Sequence, residues 1–545
     1  MLGNLPPLVG HLLFSRGITT AEQANAFMVV DESLFEDPAT LPDVDRATAR
    51  IRIARDRGET VAVYGDFDAD GVTGTALMVM ALRRYGLTVI SYIPHRVQEG
   101  HGLNIGAVDK LREQGVTLIV TVDCGVTDVG PIQHAVNHGV DTVVTDHHLV
   151  AENLPNAAAI INPHAEHSKY QFEHLTGVGM TLKLSQALLE PEMGERWPEG
   201  LMELAAIGTI TDMAPLLDEN RYIVHRGLQH LAKTTSIGLQ SLLRTTNTDI
   251  AHVTAETIGF AIGPRINAAG RLDHADTALE LLTTNDRARA DALVSELDGY
   301  NALRRELTEQ TQIAAREQLP TQIPPLIAVG SPDFNPGVVG LVAGKLAEEF
   351  GAPSLCYAQD GDSIMASCRS APGFHWANAL TACEDLLLRH GGHAQAAGFA
   401  CKAGDLPMLV ERLQAIASEQ LGEFPAVADG IVDAEVQLAD LMGSTFQALR
   451  KMEPFGIGNP SPLFLTRGVE VRDARTMGAA RNHFRLTLVA GGTTWNAVGF
   501  RQEWVEGTQC VDIVYTLDID HWNGSPRLRL TLRDYAPSGQ SKLAL

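Results

Sequence analysis

Three aspartates at alternate positions, Asp66, Asp68 and Asp70, follow the apolar run VAVYG in VAVYGDFDADGVTG. Farther along stand Asp123 in TVDCG, the run Asp146-His147-His148, and Asp212 in GTITDMAPL. Packing alone does not place three carboxylates directly after a buried strand, because unpaired buried charge is costly and like charges repel. A divalent cation removes that conflict. Carboxylates mixed with imidazoles suit Mn²⁺ or Mg²⁺ better than Ca²⁺. One carboxylate bridging two ions about 3.5–4 Å apart would make a two-metal hydrolytic site. An EF-hand loop also opens D-x-D-x-D-G, but its twelfth position would be Leu77 instead of Glu, and a strand precedes it. A lone D-x-D is ordinarily a solvated turn. Here four segments bring candidate ligands to one edge, which a turn does not explain. His148 reads as a metal ligand, as a residue that orients its neighbour, or as a contact to substrate phosphate. Asp146 reads as the group that holds a histidine tautomer. Gly344-Lys345 is followed by Leu346 and preceded by Val339, so no P-loop is present, and GVGMTLK at 177–183 reads as a tight loop.

The elements that must position these residues are legible from periodicity. Short β-branched runs at 61–65, 87–93, 118–122 and 141–145 alternate with helix-like stretches such as TGTALMVMALRRYG. That pattern predicts βαβ units and a mostly parallel sheet, whose strands end at Asp66–Asp70, Asp123 and Asp146–His148. LMELAAIG predicts a helix leading to Asp212. Residues 275–318 read as one long helical stretch between two lobes. A second α/β segment starts with strand LIAVG and helix VVGLVAGKLAEEFG, and short strands with Gly-rich turns then predict a small barrel. The expected organisation is a lead-in over 1–45, an α/β catalytic domain over 46–235, a helical connector over 236–320, a second α/β domain over 321–425 and an all-β barrel over 426–545.

The chain has 545 residues, too many for one core, with 66 acidic against 42 basic side chains and a net charge of −24. That balance argues against a general nucleic-acid coat, while leaving room for a basic channel on an acidic body. No apolar run approaches 18 residues and the start lacks a cationic n-region, so neither a membrane span nor a signal peptide is expected. The six cysteines are scattered without a C-x-x-C pair, which fits a reducing cytoplasm.

YGDFDADG, TVDCG, TDHH and TDMAPL stand in the order of the four motifs of the DHH phosphoesterase superfamily, which the chain resembles. HRVQEGHGLN at 95–104, GPRINAAGR at 263–271, SCRSAPGFH at 367–375 and GGHAQAAGF at 391–399 are similar to segments of its RecJ family. FGIGNPSPLF at 455–464 resembles the opening of that family's OB-fold. The resemblance implies a DHH-type parallel-sheet core, a long connecting helix, an α/β DHH-associated domain and a C-terminal OB-fold barrel. It implies metal ligation by Asp68, Asp70, Asp123, His147 and Asp212, with Asp66 beside them and Tyr64 near the place of a ligating His in some relatives. Asp123 would bridge two ions and His148 would face the scissile phosphate. Arg96, Arg265, Ser367 and Arg369 resemble residues that hold DNA phosphates, including the 5′ end. Arg271 joins them as a substrate-binding candidate, and His393 would meet substrate across the cleft. An ordinary salt bridge is the competing reading for Arg265, Arg271 and Arg369. Phe464, Phe484, Trp495 and Phe500 read either as base-stacking residues or as barrel core.

The implied activity is a single-stranded-DNA-specific exonuclease that works from the 5′ end in recombination and repair, with two Mn²⁺ or Mg²⁺ ions. Single-stranded DNA is its implied partner, with a single-stranded-DNA-binding protein and a helicase as protein partners. A cytoplasmic monomer without a membrane is expected. The alternatives are a DHH enzyme acting on nanoRNA, a cyclic dinucleotide or pyrophosphate, and a non-catalytic scaffold. The β-rich tail favours a polymer substrate, and the intact ligand set argues against the scaffold.

Overall fold

The computed structural model describes residues 5–166, 168–194, 196–198, 200–422, 432–478, 482–520 and 527–539. They divide into two compact units, one within Pro38–Asp212 and Gly227–Ala428, the other within Met1–Asp37, Met213–Arg226 and Asp429–Leu545.

In the first unit, β1 (Thr60–Gly65), β2 (Thr88–Tyr92), β3 (Val116–Val122), β4 (Asp141–Thr145) and β5 (Ala159–Ile161) form a parallel sheet in the order β2-β1-β3-β4-β5. The central strands are almost wholly buried, as their unbroken Val/Ile runs require of a sheet covered on both faces. The strand order reverses at β1, so the carboxyl ends of β1 and β3 flank the crevice where ligands bind in such sheets. Helices α1 (Ala69–Arg84), α2 (Gly177–Met193) and α3 (Leu201–Thr211) are buried along most of their length. GVGMTLK is therefore no loop: it forms the first two turns of α2, started by Thr176, whose hydroxyl accepts from Gly179 N at 3.3 Å.

Then follow α4 (Gly263–Leu272), α5 (Asp276–Thr283) and α6 (Arg287–Glu317). The expected single stretch over 275–318 is two helices. Thr284 turns extended, with ψ 144°, and Asp286 caps α6 by accepting from Ala288 N and Arg289 N. Asp offers the backbone this alternative to continuing a helix. α6 is the long helix between the parallel sheet and a second sheet of β6 (Ile327–Ser331), β7 (Ser354–Asp360), β8 (Ser363–Arg369), β9 (Arg389–Gly392) and β10 (Ala396–Lys402), ordered β6-β7-β8-β10-β9. Helix α7 (Val339–Phe350) covers one face with Val342 and Leu346 against Ile327 and Val329, while Trp376, Leu409 and Leu413 cover the other.

In the second unit, β12 (Phe464–Met477), β13 (His483–Ala490), β14 (Thr493–Phe500), β15 (Cys510–Asp520) and β16 (Arg527–Pro537) close into a five-stranded barrel through the β12–β15 pairing. The short β11 (Ala434–Glu435) lies alongside β12. Helices Pro7–Ser15 and Ala21–Val29 bury Val9, Leu12, Leu13 and Phe27 in the barrel core. The lead-in thus belongs with the barrel; the expected boundary at 425/426 lies outside the described residues. Phe464, Phe484 and Trp495 are core, at 1%, 0% and 3% exposed, because their strand positions point inward; Phe500 alone of the four faces solvent. Among the described residues no helix is long and apolar enough to cross a membrane.

Candidate metal centre and arginine pocket

The DFDADG string delivers its carboxylates by three devices. Asp66 directly follows β1 and takes His101 Nδ1 at 3.0 Å. Asp68 is the N-cap of α1, accepting from Asp70 N at 2.9 Å and Gly71 N at 3.1 Å. Asp70, one residue into the helix, accepts from Gly177 N at 2.6 Å and Val178 N at 3.0 Å, so the start of α2 supplies two backbone donors to it. Only glycine fits at 177: a Cβ there would lie 2.4 Å from Asp123 Cβ.

Asp123 follows β3 in the left-handed region, φ 62°, with its N–H on Thr145 O at 3.0 Å. Its Oδ1 is buried and accepts no hydrogen bond; His147 Nε2 is 3.1 Å away. Asp146 is fully committed. Its Oδ1 accepts from His147 N, His148 N and His148 Nδ1 (2.7 Å), and its Oδ2 from Val126 N. Asp212 caps the end of α3.

The electrostatics are those of a cluster built around missing positive charge. Burial and then Asp68 hold Asp70 up to about 7. Enclosure beside Asp70 and Asp68 holds Asp212 up to about 9, although its side chain is reached by solvent. Asp123 is pushed well above the carboxylate range by burial, then by Asp70, Asp68, Asp66 and Asp212. Burial and the adjacent His148 lower His147 to about 3, leaving it neutral with a lone pair to give. Asp146 behaves oppositely: burial raises it, but the bonds from His148 bring it to about 2.

Ligand atoms of Asp66, Asp68 and Asp123 lie within 4.8 Å of one another, as do those of Asp70, His147 and Asp212. Asp123 also groups with His147 and His148. Two separate triads with Asp123 reaching both, an orphaned carboxylate oxygen and a neutral imidazole fit a pair of divalent cations with oxygen and nitrogen donors.

The basic candidates gather beside this crevice. The Arg96 guanidinium lies 4.6 Å over Phe67, the residue between Asp66 and Asp68. Helix α4 packs on the same loop, with Asn267 Oδ1 accepting from Ala69 N at 2.9 Å. Arg271, at the end of α4, donates to Gly337 O at 3.3 Å. A Cβ on Gly340, in the first turn of α7, would lie 3.2 Å from Arg369 Nη2 and 3.3 Å from Ser367 Oγ. Residues 337–340 therefore join Arg271 to Arg369 and Ser367. His393 stacks on His148, centroids 5.5 Å apart and planes 13° apart. Arg265 stands apart from this group: its Nε donates to Asp298 at 2.6 Å.

Comparisons with known proteins agree with this anatomy. The DHH family N-terminal domain matches residues 60–209, the DHHA1 domain 323–419 and the RecJ OB domain 432–534. A single-stranded-DNA-specific exonuclease RecJ of Bacillus subtilis is 37% identical over 543 residues, covering 98% of this chain and 68% of that protein. Its Salmonella typhimurium counterpart is 33% identical, covering 98% and 96%. The chain belongs to the RecJ family. A crystal structure of RecJ from Thermus thermophilus in complex with Mn²⁺ superposes with a TM-score of 0.81 at 32% identity, covering 98% of this chain and 76% of that one.

For this RecJ-family chain, the structure brings Asp66, Asp68, Asp70, Asp123, His147, His148 and Asp212 to one crevice. Tyr64 is buried and donates to Gly102 O at 2.8 Å. Two contributors escaped sequence reasoning. His101 meets Asp66 from a loop, and its one signal was a place inside HRVQEGHGLN. The Gly177 and Val178 amides were hidden because a glycine-rich string reads as a turn.

Proposed function

We propose that this chain is a single-stranded-DNA-specific exonuclease that hydrolyses phosphodiester bonds from the 5′ end and releases 5′-mononucleotides, using two Mn²⁺ or Mg²⁺ ions. The observation that carries it is the adjacency, through the Phe67 loop, of a carboxylate cluster and an arginine pocket. One takes cations, the other takes phosphate.

Asp66, Asp68 and Asp123 would hold one ion and Asp70, His147 and Asp212 the other, with Asp123 facing both. When bound, the ions stabilise the charge that develops on the attacking and leaving oxygens. The α2 amides keep Asp70 in place. Asp146 fixes the proton of His148 at Nδ1 and raises its affinity for a second one, leaving Nε2 to donate to an oxygen of the scissile phosphate. Arg96, Arg271, Ser367 and Arg369 would seat the phosphate of the 5′ end, with Arg265 supporting α4. His393 meets the substrate from the second lobe. The two lobes approach closely at His148–His393 and at Arg389, whose Nη1 lies 3.8 Å from a Cβ placed on Gly100. That closeness supports a steric preference for one strand over two.

The barrel supports a polymer substrate over a dinucleotide. Six free cysteines, five of them buried, support a reducing cytoplasm. We place the chain there as a monomer acting in recombination and repair, with a single-stranded-DNA-binding protein and a helicase as partners.

The test is Mn²⁺-dependent digestion of single-stranded, duplex and 5′- or 3′-blocked oligonucleotides. Mononucleotides released from single strands, stopped by the 5′ block alone, are expected. Degradation from the 3′ end, or cleavage only of a cyclic dinucleotide or pyrophosphate, would overturn the reading.

A further inference from the structure

The Asp146-His147-His148 run leaves β4 as irregular backbone, and a side chain from the neighbouring strand holds it down. Asn162, directly after β5, is fully buried. Its Nδ2 donates to His148 O at 2.9 Å and its Oδ1 accepts from His164 N at 2.8 Å. A carbonyl needs a donor and an N–H needs an acceptor, so these two partners fix which way the amide points. The bond from His164 N makes an Asx turn, with the buried Pro163 presetting φ and Ala165 N closing on Asn162 O at 3.3 Å. Asn162 thus serves the turn behind it and the histidine run in front.

The bond to His148 O extends the sheet past its last rung. β4 and β5 pair in parallel up to Thr145 and Ile161, and Asp146 N then donates to Ile161 O at 3.2 Å. Beyond that point the run bends, with His147 N and His148 N both turned to Asp146 Oδ1. The His148 carbonyl has no strand left to pair with. A side-chain amide, which carries the same N–H donor as a backbone, takes it instead. Asp146 holds the His148 ring at Nδ1, 2.7 Å away, while Asn162 holds its main chain. Two anchors fix the backbone as well as the ring. The His164 ring faces the same run, since the backbone of His147 and the charge of His148 both act on it.

We propose that Asn162 is a positioning residue for the hydrolysis, clamping the main chain of His148 so that its imidazole stays against His393 and the scissile phosphate. The proposal rests on the reading of His148 as the group that faces that phosphate. Asn162 itself is buried and touches no substrate. A misplacement of about 1 Å at a reacting group costs on the order of 10²-fold in rate, so the clamp acts on turnover and leaves strand binding alone.

The full-length chain with Mn²⁺ is assayed on single-stranded oligonucleotides in a double-mutant cycle, with Mn²⁺ binding followed separately by calorimetry. Asn162→Ala should lower kcat about 10–100-fold while KM and Mn²⁺ affinity stay within about 3-fold. His148→Ala should lower kcat at least as far. Adding Asn162→Ala to it should cost less than about 3-fold more, because the clamp then has no ring to place. Asn162→Ser keeps an acceptor for the His164 N–H but falls short of His148 O. It should lose turnover as Asn162→Ala does while melting like wild type, and it decides the matter if Asn162→Ala fails to fold. Losses that multiply across the cycle, near wild-type kcat in Asn162→Ser, or a loss of Mn²⁺ affinity in place of turnover would overturn the role of Asn162. Near wild-type turnover in His148→Ala would instead overturn the reading of His148, whatever the Asn162 variants do.

Discussion

The acidic crevice and the arginine pocket lie on either side of the Phe67 loop, yet they are assembled on opposite principles. Each carboxylate sits on a short stem at the end of a strand or helix, so topology alone carries Asp66, Asp123 and His147 to one edge of a parallel sheet. The arginines sit on long stems within a loop, a helix and a strand, and only tertiary packing decides which heads meet. Arg265 and Arg271 lie six residues apart on α4. One is paired with Asp298 and the other faces the pocket. The lesson is that backbone topology alone locates a cluster of carboxylates, whereas a pocket of arginines must be seen assembled.

The largest expected effect tests the crevice. Asp123→Ala removes the carboxylate that reaches both triads and should lower kcat by at least about 10³-fold, the scale of losing transition-state stabilisation. Near-normal turnover would show that the two triads act without a shared ligand. Next comes the charge deficit itself. In the metal-free chain Asp70 keeps its proton up to about pH 7, whereas the unfolded chain releases it near the ordinary carboxylate value. The folded state therefore holds an extra proton in that window, and stability falls as pH rises through it. Melting curves of metal-free protein should show this fall, and Mn²⁺ should flatten it. A flat profile without metal would mean the carboxylates do not need a cation.

The pocket comes third. Arg369→Met should raise KM for 5′-phosphorylated strands roughly 10–100-fold with little change in kcat, as expected for losing hydrogen bonds to a charged group. A fall in kcat alone would move Arg369 from end binding to the chemical step. The smallest effect belongs to Arg265→Met. Breaking the half-buried pair with Asp298 should lower stability by about 1 kcal/mol while leaving kcat/KM within about 3-fold. A loss as large as that of Arg369→Met would place Arg265 in the pocket after all.

Legibility in the sequence follows the same division. The alternation of apolar runs and helical stretches sufficed for the parallel core, the second α/β lobe and the barrel, because burial imposes periods of 2 and 3.6 on any sequence. Asp68 and Asp70 were legible because carboxylates after a buried strand demand a reason. The amides of Gly177 and Val178 were not, since backbone donors have no letter of their own. Thr284–Asp286 broke a helix that composition alone would continue, because the cap is a local hydrogen-bond choice. Phe464, Phe484 and Trp495 share strand periodicity with surface residues, and only closure of the barrel turns them inward.

The central claim is that the crevice performs the chemistry and the pocket chooses the end. It is tested most directly by the binding of Asp123→Asn, without turnover, to single strands carrying a 5′-phosphate or a 5′-hydroxyl. The account predicts that this variant cleaves neither and still prefers the phosphorylated strand by the wild-type ratio. Loss of that preference together with cleavage would contradict it and make crevice and pocket a single, inseparable site.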